Sequence, residues 1–453
     1  MKHILLIIFF AVFSSACAAQ PLLPRSTFLG VSPTSLNSGD ELIVASLHPR
    51  GTGALVGLKE GDQILSINQH EVSDFHALSE ILSDIYEENE IQISVLRDDS
   101  TVTLSGNAIA RPPEAGSGYT AEYGAFTWRD NHIRTITYHP ENQRQDNAAV
   151  MFIQGYTCSS IDYGMAPNLT MNQLLEAYAQ AGFTVFKMEK PGVGDSQGNL
   201  NCSEYDFDTE NAAFLAGLEF FASQPSVNED NLFVFGHSLG VLHSAIIAEK
   251  GIVKGVMGYG GLLKSWYDYM QIIMTDQATL YWGVDEQEAQ QNLQNVEPFL
   301  EQWLNTNNSW ETILEDSGAK RVVDEQLLPI SGEQVFQRHY TFFRSLNQYD
   351  FRAQWDNTEA HALLMHGSFD IQAINSDWAF NIAEIINQNN PDHATALVIE
   401  NTEHALMSYP SLQALQTAMR DRTHSPSEPG EHYNPEIATA SLAWMQKVLE
   451  EHD

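Results

Sequence analysis

A serine lies at the centre of a glycine-flanked turn in residues 236–240, which read GHSLG. The preceding residues 232–235 (LFVF) are typical of a buried strand, and residues 241–248 are apolar enough to form a buried helix. Glycines on both sides of Ser238 would let the strand and helix pack closely, and the sharp turn would force Ser238 into a strained backbone geometry. The N-terminus of the helix would then lie beneath a developing negative charge. This arrangement favours nucleophilic catalysis by the Ser238 hydroxyl.

Apolar strands alternate with helical patterns on both sides of this turn, which predicts a mostly parallel sheet flanked by helices. The main predicted strands are residues 148–154, 183–189, 231–236, 251–258, 362–366 and 395–399. Together with the GHSLG turn, the pattern resembles the α/β-hydrolase family over residues 121–453. The predicted fold class is therefore α/β, with an α/β-hydrolase fold.

The resemblance implies an acid and a histidine that follow Ser238 in the chain. Asp370 comes just after the apolar residues 362–365, and His404 comes just after the predicted strand 395–399. Both positions are where the family places these groups. His404 would take the proton of Ser238 during attack, and Asp370 would orient the imidazole and stabilise its protonated form.

The same resemblance implies backbone donors for the oxyanion of a tetrahedral intermediate, namely the N–H groups of Leu239 and Tyr156. Residues 154–157 read QGYT where many relatives have His-Gly, but a backbone donor survives that difference. Residues 189–196 (EKPGVGDS) form another turn found in this fold. We interpret Asp195 as stabilising this turn, with a substrate-facing role as the alternative.

Residues 27–109 have a different pattern, with short alternating strands and one helix. The run 54–68, with Gly61-Asp62 as a turn before a half-buried strand, resembles a PDZ domain of the type found in bacterial periplasmic proteases. We assign this domain to residues 26–109. The resemblance implies a carboxylate-binding loop at Phe28, Leu29, Gly30 and Val31, whose backbone N–H groups would receive a partner protein's C-terminus. A spacer domain with an internally filled groove is the alternative.

Two further segments separate from these domains by composition. Residues 110–120 contain Pro112, Pro113 and a GSG run, which indicates a linker. Residues 262–359 form an insertion rich in aromatic residues, at the place where the family carries its lid. The aromatic side chains could form the roof of an acyl or aryl pocket, or a small core of the insertion's own.

The three cysteines are relevant to export of the protein and to disulfide formation. Residues 1–19 have the layout of a signal peptide, and we favour its cleavage over lipidation at Cys17 or a retained anchor. The sequence thus predicts an exported protein, periplasmic or secreted. Cys158 and Cys202 follow strands that the resembled fold places side by side, so a disulfide across the rim of the site is predicted, with two free thiols as the alternative.

The chain carries 59 acidic and 22 basic residues, a net charge of −37. This excess argues against nucleic acid and against strong association with an anionic membrane. No metal is predicted, because neither a His-x-x-x-His pattern nor a cysteine cluster occurs. No other cofactor is expected.

The leading functional hypothesis is cleavage of small-molecule carboxylic esters through an acyl-enzyme. The first alternative is a serine peptidase whose PDZ domain captures peptide C-termini. The second alternative is a binding protein on a hydrolase scaffold that turns nothing over, although the intact Ser, Asp and His argue against it.

Overall fold

The computed structural model describes residues 23–35, 39–425 and 432–451. The predicted signal peptide at residues 1–19, including Cys17, lies outside the described residues. In the parts of the chain that are described, no helix is long and apolar enough to cross a membrane.

The N-terminal domain is a small β-rich unit with its own apolar core, which includes Ile64, Ile67, Ile93 and Val95. Its core forms because β5 alternates buried and exposed residues, as a half-buried strand should. Its elements are β1 (Val31–Pro33), β2 (Val44–Leu47), α1 (Thr52–Val56), β3 (Gln63–Ile67), β4 (His70–Glu71), α2 (Phe75–Ser83), β5 (Glu90–Arg97) and β6 (Ser100–Asn107).

The second domain begins with two long antiparallel strands and continues with alternating strands and helices. The first part comprises β7 (Tyr119–Trp128), β8 (Asn131–Pro140), β9 (Ala149–Ile153), α3 (Thr170–Gln180), β10 (Thr184–Met188), α4 (Phe207–Ala222), β11 (Leu232–His237), α5 (Gly240–Glu249) and β12 (Gly255–Tyr259).

An insertion follows β12 and consists mostly of helices. It contains α6 (Trp266–Ile272), a π-helical turn at Ile273–Gln277, α7 (Ala278–Trp282), α8 (Glu286–Leu304), α9 (Trp310–Ile313), α10 (Ser317–Asp324), β13 (Ile330–Ser331), β14 (Gln334–Val335), β15 (Arg338–His339), α11 (Tyr340–Leu346) and α12 (Phe351–Asp356). The chain then returns to the sheet with β16 (His361–Gly367), α13 (Asp377–Asn389), β17 (Ala394–Ile399), α14 (Leu412–Arg420) and α15 (Glu436–Glu450).

Eight strands form one sheet in the order β7-β8-β10-β9-β11-β12-β16-β17. Strand β8 runs antiparallel to both of its neighbours, whereas every pair from β10 to β17 is parallel. All residues of β9, β10, β12 and β16 are buried, because helices cover both faces of the parallel part. This order is that of the α/β-hydrolase fold, so the predicted fold class is confirmed.

The segment 110–120, for which the composition predicts a linker at a domain boundary, is packed against the second domain. Glu114 is buried, and one of its carboxylate oxygens pairs with Lys187 Nζ at 2.8 Å. The same carboxylate accepts hydrogen bonds from the Tyr138 hydroxyl and the Tyr163 backbone N–H. Strand β7 begins at Tyr119, inside the predicted linker. The glutamate and this strand hold the segment in place, a constraint that local composition does not reveal.

Residues just before the N-terminal domain join the two domains. Arg25 pairs with Asp162 at 2.5 Å and with Asp195 at 3.0 Å, and its guanidinium lies 4.2 Å from the centre of the Tyr123 ring. Asp195 also accepts a hydrogen bond from the backbone N–H of Ser26 at 2.9 Å. Asp195 therefore connects the two domains, a contact that its turn sequence alone did not indicate.

Candidate active site

Ser238 lies at the turn between β11 and α5 and has a backbone φ of +56°. This left-handed conformation is costly for a residue with a Cβ atom. Its neighbours make the tight turn possible: a Cβ at position 236 would lie 2.5 Å from Ser244 Oγ, and one at position 240 would collide with the Ile153 carbonyl. The local sequence therefore specifies the strained turn that exposes Ser238.

Asp370 and His404 lie in the loops after β16 and β17 and contact each other directly. The distances from His404 Nδ1 to the Asp370 carboxylate oxygens are 2.8 and 3.0 Å. Burial alone would raise the pKa of Asp370, but the nearby imidazole lowers it to about 2. Burial alone would lower the pKa of His404, but the Asp370 carboxylate raises it above its ordinary value. The pair thus stabilises a protonated imidazole, as proton transfer from a serine requires.

The loop that carries His404 is joined to the turn that carries Ser238. His237 Nε2 donates a hydrogen bond to the His404 carbonyl at 2.8 Å. Burial lowers the pKa of His237 to about 4, so its ring is neutral near pH 7. Among the described residues, the buried His404 Nε2 has no hydrogen-bond partner. The imidazole therefore has a free nitrogen beside the Ser238 turn.

The predicted oxyanion-hole residues flank Ser238. Leu239 comes directly before the first turn of α5, so its backbone N–H belongs to a helix N-terminus. A Cβ at position 155 would lie 3.1 Å from Ser238 Cβ and 3.5 Å from Ser238 Oγ, so the loop that carries Tyr156 is packed against the serine. The structure thus places the loop that carries Tyr156 against Ser238, directly beside Leu239 in the chain.

Sequence reasoning missed a buried charged cluster behind this loop. Lys190 Nζ donates to the Gly155 carbonyl at 2.6 Å, and Arg338 Nη1 donates to the Tyr156 carbonyl at 2.6 Å. Both cations also pair with Glu210. The one sequence signal was Lys190 just after a largely apolar strand, whereas Arg338 lies in the insertion with no motif around it.

Glu189 is a second buried carboxylate near the rim of the site. It accepts hydrogen bonds from the Ser160 hydroxyl and from the Ile161 N–H, the latter at 3.1 Å. Burial raises the pKa of Glu189 to about 7, against an ordinary value of 4.5. Between pH 4.5 and about pH 7, the group is ionised in the unfolded chain but largely protonated in the folded protein. The free-energy cost of burying it therefore grows as pH rises and is largest above pH 7.

We expect Glu189→Gln to stabilise the protein above pH 7 by up to about 3 kcal/mol, because the amide cannot ionise. The advantage over the native protein should shrink as pH falls and vanish near pH 4.5, the ordinary pKa of a glutamate. Urea unfolding at several pH values measures this, with the exposed Glu141→Gln as control. A stability difference that does not depend on pH would contradict the expectation.

Cys158 and Cys202 form a disulfide with an S–S distance of 2.02 Å, joining the loops after β9 and β10. Around it lies a small apolar cluster that includes Val193, Leu200 and Tyr205. The disulfide fixes one edge of the site, on the same loops that contact Arg25.

We expect the double substitution of Cys158 and Cys202 by serine to lower the free energy of unfolding by about 4 kcal/mol. The bond closes a loop of 44 residues, and its loss returns that conformational freedom to the unfolded chain. Urea unfolding of the native and variant proteins tests this. A reductant should destabilise only the native protein; an equal effect on both would contradict the disulfide.

The predicted carboxylate-binding loop borders a cleft of about 480 Å³ in the N-terminal domain. Phe28, Leu29, Gly30 and Val31 line it together with residues of α2. Gly30 has a φ of +73°, and a Cβ there would lie 2.8 Å from the Gly51 Cα, so the loop requires a glycine. The residues lining the cleft from α2 and from beyond the domain are Phe75, Leu78, Ser79, Leu82, Arg111 and Met165. Met165 shows that the second domain forms part of this cleft.

Comparisons with known proteins identify the N-terminal domain, since the PDZ domain family matches residues 27–106. The predicted PDZ domain is thereby confirmed, and the chain combines it with an α/β-hydrolase fold. No curated protein sequence matches the chain.

Solved structures similar to this chain include Est1E from Butyrivibrio proteoclasticus with bound ferulic acid (13% identity, TM-score 0.40, 66% of this chain and 97% of that chain). Another is the proline iminopeptidase of Mycobacterium smegmatis (13% identity, TM-score 0.42, covering 73% of this chain and 100% of that chain). A third is the α/β hydrolase GrgF from Penicillium sp. sh18 (14% identity, TM-score 0.41, covering 67% of this chain and 97% of that chain).

Proposed function

We propose that this protein is an exported serine hydrolase that cleaves carboxylic esters through an acyl-enzyme intermediate. The observation that carries the proposal is the contact between Asp370 and His404 Nδ1, which leaves the buried Nε2 free beside the strained Ser238 turn. In this proposal Nε2 accepts the Ser238 proton as Oγ attacks the acyl carbon. The same nitrogen then returns the proton to the leaving group. Water hydrolyses the acyl-enzyme in a second cycle of the same steps.

Esters are favoured over amides because an alkoxide leaves a tetrahedral intermediate far more readily than an unprotonated amide nitrogen does. The insertion supports an acyl or aryl substrate, since its aromatic residues pack around the site. Phe343 contacts Tyr156 with ring centres 5.8 Å apart and stacks on Trp266 at 4.4 Å. The Tyr269 hydroxyl donates to the Gln372 carbonyl, close to Asp370. Phe343 and Trp266 are themselves buried, so an apolar acyl or aryl group would meet the partly exposed ring of Tyr156.

The proposal is tested by treating the full-length mature protein with a fluorophosphonate and mapping the modified peptide. We expect one adduct, on Ser238, together with hydrolysis of p-nitrophenyl esters in a panel of short to long acyl chains. An adduct elsewhere would exclude Ser238 as the nucleophile. Absence of both labelling and turnover would favour a binding protein on a hydrolase scaffold.

A second candidate function is peptide hydrolysis with capture of a peptide C-terminus at the PDZ cleft. The open cleft beside residues 28–31 favours it, because an extended peptide could add to β1 with its carboxylate at this loop. Ser79 is exposed and lines the cleft, so Ser79→Trp should fill it without disturbing the core. If peptides with a free C-terminus are cleaved and this variant loses only that activity, the peptidase is favoured. Unchanged ester hydrolysis and no peptide cleavage would favour the esterase.

A further inference from the structure

Two buried cations hold consecutive carbonyl groups of the loop that faces Ser238. Lys190 comes from the turn after β10 and binds the Gly155 carbonyl at 2.6 Å. Arg338 comes from β15 of the insertion and binds the Tyr156 carbonyl at 2.6 Å. Two separate parts of the chain thus fix the orientation of two adjacent peptide groups beside the nucleophile.

Glu210 of α4 links the two cations. Its Oε1 lies 2.9 Å from Lys190 Nζ, and its Oε2 lies 2.9 Å from Arg338 Nη2. His243 Nε2 lies 3.2 Å from the same carboxylate. The side chains of Lys190, Arg338 and Glu210 are at most 1% exposed. Burying three charges gains little stability over an apolar core of the same volume, so a role in orientation is the better account of the cluster.

The geometry of a peptide group connects this cluster to the oxyanion hole. The Gly155 carbonyl and the Tyr156 N–H belong to one planar peptide group, and the described residues contain no cis peptide bond. In a trans peptide the carbonyl and the N–H point in opposite directions. Lys190 therefore fixes the direction of the Tyr156 N–H by holding the carbonyl at the other end. A cation on the carbonyl oxygen also polarises the group and makes its N–H a stronger donor.

We propose that Lys190 and Arg338, linked through Glu210, are positioning residues that orient the Tyr156 N–H toward the oxyanion. This inference rests on the proposed function, because it assigns the residues that prepare its transition-state site. Arg338 makes the insertion part of this arrangement, so the insertion helps to build the catalytic site as well as to cover it. Burial lowers the pKa of Lys190 to about 8, with the Glu210 carboxylate opposing that fall, so the lysine is mostly charged at neutral pH.

The test compares Lys190→Met and Arg338→Met with a matched control, Lys187→Met. Lys187 is also a buried lysine paired with a buried glutamate, but its partner Glu114 lies in the 110–120 segment. The readouts are kcat, KM and the affinity for an arylboronic acid, which forms a tetrahedral adduct with a serine and places an oxygen in the hole. Melting temperatures report the loss of stability separately.

We expect Lys190→Met and Arg338→Met each to lower kcat by about 10²-fold, with a similar loss of boronate affinity and little change in KM. Lys187→Met should lose stability but keep kcat and boronate affinity. Arg338→Lys retains a cation and should recover most of the lost kcat and boronate affinity. This comparison tests the inference even if Lys190→Met does not fold. A folded Lys190→Met with native boronate affinity, or Arg338→Lys no better than Arg338→Met, would overturn the inference. Failure of the proposed function would appear instead as a native protein without labelling or turnover.

Discussion

Glycine in place of Ser238 is expected to raise stability while abolishing turnover. The native residue has a φ of +56°, a conformation that costs a residue with a Cβ atom about 1–3 kcal/mol. Glycine adopts this conformation freely, although its greater freedom in the unfolded chain offsets part of the gain. Loss of the nucleophile should lower kcat by about 10⁶-fold. Stability and activity should therefore change in opposite directions at this one position.

Ser238→Ala is the matched control for that experiment. Alanine removes the hydroxyl but keeps the Cβ atom, so it should lose as much activity as glycine without relieving the backbone strain. Urea unfolding should then show Ser238→Gly to be more stable than Ser238→Ala by about 1 kcal/mol. Equal stabilities would show that the turn stores no strain at this residue.

The parallel sheet could be predicted because most of its parallel strands are buried on both faces. Runs such as residues 232–235 contain no polar residue, and helical patterns separate them. This combination predicts a parallel sheet covered by helices. The ends of the main predicted strands agree with the structure to within a few residues. The helix at Leu412–Arg420 was missed, because it lies between the last strand and the last helix, where no motif indicates an element.

Ser238 could be predicted from the local sequence, because five adjacent residues specify its turn. Asp370 and His404 required the chain order of a resembled family, since a loop aspartate and a loop histidine have no local signature. The cluster of Lys190, Glu210 and Arg338 could not be predicted. Its members are separated by up to 148 positions, and they meet only when α4, the turn after β10 and the insertion pack together. Local patterns thus specify elements and turns, whereas charge pairs across the fold depend on tertiary packing.

Asp370→Asn is expected to lower kcat by about 10⁴-fold while the loop around it stays folded. One carboxylate oxygen, Oδ1, accepts the N–H groups of Gln372 and Ala373 at 3.0 and 2.8 Å, and an asparagine oxygen can accept both. The other oxygen lies 2.8 Å from His404 Nδ1. An amide NH₂ in its place can only donate, so Nδ1 would lose its proton and Nε2 would carry it instead. His404 could then no longer accept the proton of Ser238.

The stability and pH dependence of this variant separate orientation from simple disruption. Asp370→Asn should keep KM near its native value, whereas Asp370→Ala removes the oxygen that holds residues 372 and 373 and should also destabilise the loop. The lowered pKa of Asp370 stabilises the native fold above its ordinary value of 3.8, and this contribution is lost as pH falls through about 2. The native protein's stability advantage over Asp370→Asn should therefore shrink on acidification. A variant that keeps kcat within about tenfold of the native value would mean that another group orients His404, because a wrong tautomer cannot sustain that rate.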